Sequence, residues 1–153
     1  MNKIKVKIAN VLKRGSVALV KLNAVESSAQ LTALVLDFCG DNVAPNIASN
    51  QVQNPTQNLK IGAECNAIFK ESEVMIALLN SCVSARNCFK AQIVKIERDE
   101  IFARIFLDFE SLTALITKEA CDALNLKIGK EILWFVKSNE VALEFGAQNT
   151  RRI

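Results

Sequence analysis

The run Ser84-Ala85-Arg86-Asn87 sets a guanidinium between a hydroxyl and a carboxamide, just ahead of the alternating stretch "IVKIERDEIFARI". Donors grouped this way suit the oxygens of an anion, because hydrogen bonds to a charged acceptor are the strong class. The same residue types also serve plain loops that lead into strands, with the arginine paired to a nearby acid. Other chemistries have little to build on. Histidine is absent, which removes the commonest general base and the commonest metal ligand. The five cysteines, Cys39, Cys65, Cys82, Cys88 and Cys121, contain no C-x-x-C pair, so neither a zinc site nor a dithiol centre is indicated. No pair of carboxylates stands out as an acid and a base. The residues describe a binding protein, not an enzyme.

The elements that must position this run belong to a chain of 153 residues, half of them apolar and 23% charged, which is a globular composition. The net charge of +3 is a weak bias, and the lysines are interspersed with acids instead of gathered into a basic stripe. No apolar run approaches the ~20 residues that cross a bilayer. The N-terminal "MNKIKVKIANV" has the lysine-dotted look of a strand, without the apolar centre of a signal peptide. Odd in number and scattered, the cysteines read as thiols of a reducing compartment. The expectation is a soluble, cytoplasmic protein without disulfides.

The chain repeats itself. "KIANVLKRGSVALV" aligns with "QIVKIERDEIFARI", setting Ile8 on Ile93 at a separation of 85 residues. "LTALVLD" at Leu31 returns as "LTALITK" at Leu112, a separation of 81, and "LKIGAE" at Leu59 returns as "LKIGKE" at Leu126, a separation of 67. Three matches in one order indicate a duplication. The falling separations place extra residues in the first copy, chiefly a polar loop near 40–58 that carries both prolines. The organisation read from this is a first copy at 1–80, a second at 83–146 and a tail at 147–153.

Each copy reads as strand. Ile101, Ala103, Ile105, Leu107 and Phe109 alternate with Phe102, Arg104, Phe106 and Asp108, a period of two. "SLTALIT" continues as a strand, and "TKEACDALN" forms two helical turns with Thr117 as N-cap. Gly129 marks a turn into "EILWFVK", and "KSNE" reads as a hairpin turn from there to "EVALEF". Phenylalanines on both faces of the Phe102 strand suggest burial on both sides, and hence an interface. Trp134 reads as core. Five short strands and one short helix per copy give an all-β chain of two tandem five-stranded barrels of the oligonucleotide/oligosaccharide-binding kind. So small a unit buries too little core to stand alone, which favours copies packed on each other.

In the second copy, "SARN", "IVKIERDEIFARI", "LTALIT", "LKIGKE" and "WFVKSNEVAL" occur in an order that resembles the molbindin domain, also called the Mop-type TOBE domain. That resemblance implies binding of molybdate or tungstate, with a molybdenum-pterin as an alternative ligand. It implies an oxyanion site made of Ser84, Arg86, Thr117, Lys137 and Ser138, supported by Ala85, Asn87, Ala120 and Lys70. One departure stands at Ala120, where the family often has a serine, so that one hydroxyl donor is either missing or replaced by a backbone N–H. The resemblance also implies that the SARN loop of one copy meets the threonine and the lysine–serine turn of a neighbouring copy.

In the first copy, Leu36 stands at the position of Thr117 and Glu71 at that of Ser138, and only Lys70 matches Lys137. That copy reads as scaffold, so a complete site calls for second copies from two chains, a homo-oligomer with sites between subunits. Storage and sensing of the oxyanion are both compatible with this reading; so is a regulator that acts through a protein partner, because no DNA-binding segment is evident. Single-stranded nucleic acid is the contrasting ligand of such barrels. It needs exposed aromatics interleaved with bases, and this chain has no tyrosine and alternates its lysines with acids.

Overall fold

The structure, a computed structural model, describes residues 1–36 and 59–146. Ten strands run in chain order: β1 Asn2–Arg14, β2 Val17–Ala24, β3 Gln30–Leu36, β4 Glu64–Phe69, β5 Met75–Ala77, β6 Asn87–Arg98, β7 Phe102–Leu107, β8 Thr113–Thr117, β9 Glu131–Val136 and β10 Ala142–Glu144. Helix α1, Lys118–Ala123, follows β8, and single 3-10 turns at Glu71–Glu73 and Ser138–Glu140 precede β5 and β10. The long polar loop and the tail of the sequence reading lie outside the described residues.

The strands form two five-stranded sheets, in the orders β10-β4-β1-β2-β3 and β5-β9-β6-β7-β8. In each, the two edge strands touch, β10 with β3 and β5 with β8. Each sheet therefore curls into a small barrel, and the all-β tandem architecture expected from the repeat is the one present. Alternation does the sorting. Along β2, Ala18, Val20, Leu22 and Ala24 are buried, and along β7 Ala103, Ile105 and Leu107 are. Trp134 is fully buried in its barrel, ringed by Phe69, Phe89 and Phe109 at centroid distances of 5.1–5.9 Å. Each such aromatic pair contributes about 0.5–1.5 kcal/mol beyond its buried area.

The duplication extends to irregularities. β1 shifts register between Ile8 and Asn10, and β6 between Ile93 and Lys95. Each bulge is closed by a glycine turn: the Gly62 N–H donates to the Ile8 carbonyl at 2.8 Å, and the Gly129 N–H to the Ile93 carbonyl at 2.7 Å. Both glycines have φ of +92°, a conformation that only glycine adopts without strain.

One expectation fails. The turn Lys137–Glu140 does not fold β10 back on β9. A two-residue hairpin needs positive φ, and none occurs there; the Glu140 N–H instead donates to the Lys137 carbonyl at 3.0 Å in a 3-10 turn. β10 pairs with β4 (Ala142 opposite Ile68), and β5 pairs with β9 (Met75 opposite Phe135). The chain accordingly divides into one compact unit of Met1–Lys3 with Phe69–Glu140 and another of Ile4–Ile68 with the segment from Val141 onward. Each barrel takes its short fifth strand from the other copy. In the single chain Phe102 is 46% exposed, and strand β7 ends at Leu107, before Phe109.

Gly129→Ala tests the bulge turn. A Cβ there meets only the Gln92 side-chain amide, at 4.0 Å, so the cost is conformational. A loss of about 1–2 kcal/mol in urea unfolding is expected; an unchanged midpoint would show that the turn tolerates a side chain.

Candidate oxyanion site

Strand β6 begins where β9 ends, with Asn87 opposite Val136. The residues just outside this pair are Arg86 and Lys137, each exposed at the end of its strand. Burial alternates through the loop. Ala85 and Asn87 are buried and anchor it, leaving Ser84 and Arg86 exposed. Lys137 is exposed and Ser138 half-buried. Ser84, Arg86, Lys137 and Ser138 thus lie in the segments that flank the Asn87–Val136 end of the β6–β9 pair.

Arg86 is not paired with an acid. Its Nε donates to the Ser84 carbonyl and its Nη2 to the Val83 carbonyl, both at 3.3 Å. These are long for charge-assisted bonds, and the guanidinium has five N–H donors in all. Among the described residues, neither Arg86 nor Lys137 forms an ion pair.

Thr117 is placed elsewhere on the sheet, at the end of β8, opposite Phe102 of β7. Its Oγ1 accepts from the Ala120 N–H at 3.0 Å, the N-cap bond of α1. Its hydroxyl hydrogen remains available to donate. The Ala120 N–H is engaged in that cap bond. The far end of α1 is closed by Asn125 at φ +55° and by Lys130 Nζ, which donates to the Leu124 and Asn125 carbonyls at 2.9 and 3.1 Å. The β6–β7 turn ahead of Phe102 is held by Asp99, whose carboxylate accepts the Ile101 and Phe102 N–H groups at 2.7 and 2.6 Å. Those bonds hold its carboxyl below the usual carboxylate range.

Lys70 is exposed at the head of the 3-10 turn Glu71–Glu73, which rests against β8. Two residues in this region escaped the sequence reading. Arg104 pairs with Glu71. Asn2 forms a two-way amide bridge to Thr113, its Nδ2 donating to the carbonyl and its Oδ1 accepting from the N–H, each at 2.9 Å. A signal for Asn2 existed, since the separation of 85 sets it on Asn87. Of the thiols, Cys65 and Cys121 are buried, Cys88 is half-buried and Cys82 exposed; burial pushes Cys65 up to about 11. Among the described residues no cluster of three or more His, Cys, Asp or Glu side chains is placed to hold a metal ion, and no helix is long and apolar enough to cross a membrane.

Residues 83–143 match the TOBE domain family. The fold is similar to a crystal structure of the cytoplasmic molybdate-binding protein ModG with molybdate bound, at a TM-score of 0.73 and 22% identity, covering 94% of each chain. A search of the curated proteins found no sequence match.

Thr117→Val removes the cap oxygen and keeps the shape. A loss of about 1 kcal/mol of stability is expected in thermal or urea unfolding; no loss would mean that the Thr117–Ala120 bond contributes nothing to α1.

Proposed function

We propose, taking residues 83–143 as the TOBE domain they match, that the protein binds molybdate or tungstate through its second copy and serves in storing or sensing that oxyanion. The observation that carries this reading is the pair of exposed cations, Arg86 and Lys137, without a carboxylate partner among the described residues. The likeness to a molybdate-bound structure supports the choice of ligand.

Molybdate is a tetrahedral dianion at neutral pH, and removing it from water is costly unless directed donors replace the water. Arg86 and Lys137 match its two charges. Ser84 and Ser138 supply hydroxyl donors, and the spare N–H groups of the Arg86 fork bond two oxygens at once. None of these groups needs to exchange a proton, so the site binds and does not turn over. Thr117 lies on β8, two strands from β6, and in this reading it completes the site from the second copy of another chain.

Titration calorimetry tests the ligand. Molybdate and tungstate are expected to bind far more tightly than sulfate at fixed ionic strength, because fixed donors that reach the larger tetrahedron fall short of the smaller one. Arg86→Ala is expected to weaken molybdate binding by about 10- to 100-fold with an unchanged melting curve, the loss of ~1.5–3 kcal/mol in charge-assisted bonds. Equal affinity for sulfate would reduce the site to a generic anion patch, and no heat with molybdate would refute it.

Sharing between chains has its own test. Arg86→Ala and Thr117→Ala proteins, each weak alone, are expected to recover part of the binding when unfolded and refolded together. A sedimenting monomer that binds molybdate at full affinity would rule out the shared site.

A further inference from the structure

Aligning the copies by their own separations sets the site residues of the second copy on counterparts in the first. At 67 residues, Lys137 falls on Lys70 and Ser138 on Glu71, and the 3-10 turn Ser138–Glu140 falls on Glu71–Glu73 residue for residue. At 85 residues, Asn87 falls on Asn2 and Arg86 on Met1. The first copy therefore has a place equivalent to the oxyanion site. That place is not open. The Glu71 carboxylate stands in it, with one oxygen on Arg104 Nη1 and the other 3.3 Å from the Met1 amino group.

The substitution pattern is coordinated. A neutral serine has become a carboxylate, and a cation from β7, Arg104, faces it; the residue matching Arg104 in the first copy is Leu19. Glu71 is the less exposed partner, its side chain 25% exposed against 37% for Arg104. A carboxylate between cations presents two anionic oxygens to donors, as one edge of a tetrahedral oxyanion would. Asn2 fixes the chain at this point through its two bonds to Thr113, so the amino group of Met1 is held over Glu71.

We infer that the first copy retains a latent oxyanion site, lined by Lys70, Arg104 and Met1, that the Glu71 carboxylate fills as a built-in anion. This inference rests on the oxyanion reading of the second copy and extends it to a site the sequence had marked only as scaffold. It makes Glu71 the residue that sets how many oxyanions one chain holds. Repulsion by Glu71 is only part of the effect: the carboxylate also occupies the donors that a ligand would need.

The experiment is equilibrium dialysis against molybdate with metal quantified per chain, on wild type, Glu71→Ser, Arg86→Ala, Glu71→Ser/Arg86→Ala and that double variant with Arg104→Ala. Glu71→Ser restores the residue found at the equivalent place in the second copy, and Glu71→Gln serves in its stead if the serine variant does not fold. The expected result is a twofold rise in molybdate per chain for Glu71→Ser. The double variant is expected to return to the wild-type count, and adding Arg104→Ala to lose that binding. A wild type that binds while Glu71→Ser leaves the count unchanged would overturn this inference alone. A wild type without binding and a Glu71→Ser protein with it would overturn the second-copy site and support this one. No binding by either would overturn both.

Discussion

The pairing of β6 with β9 is the constraint from which the site follows. Backbone hydrogen bonds between these strands are obligatory, because unpaired N–H and C=O groups inside a barrel are costly. Once Asn87 is set opposite Val136, the chain has no choice about what comes next on either side. Arg86 and Lys137 come next, both exposed at the same end of the two paired strands. Below the pair, Trp134 and the phenylalanines around it make the strand ends a firm platform.

The first copy shows the other resolution of the same geometry. It has the same bulge, the same glycine turn and the same 3-10 turn, all at the expected separations. There the charge is settled internally, by Glu71 against Arg104 and the Met1 amino group. One scaffold thus carries both an ion pair that closes on itself and an open pair of cations. The difference turns on a few side chains, while the backbone is common to both.

Much of this was legible in the residues. The period of two along Ile101–Leu107 placed the β7 core face, Thr117 was read as an N-cap and is one, and the three repeat offsets reproduce the elements of both copies. What was hidden is the partner of each short strand. "EVALEF" has the same alternation whether it folds back on β9 or crosses to β4, and the choice rests on the φ angles of "KSNE", where no glycine announces the turn type. For the same reason the placement of Lys137 and Arg86 at the same end of two paired strands did not follow from spacing, since they are far apart in sequence and share that end only through strand register. Arg104 was hidden differently. On an alternating strand it reads as an outward residue, and its partner Glu71 comes from the other repeat.

The account stands on Arg86 and Lys137 jointly holding a tetrahedral oxyanion. A crystal grown with molybdate, measured at the molybdenum absorption edge, tests this most directly, because the anomalous peak marks the metal without reference to any variant. The account predicts one peak per chain within hydrogen-bond reach of both the Arg86 guanidinium and the Lys137 ammonium, through the oxygens around the metal. A peak remote from these two side chains, or none at saturating molybdate, would contradict it.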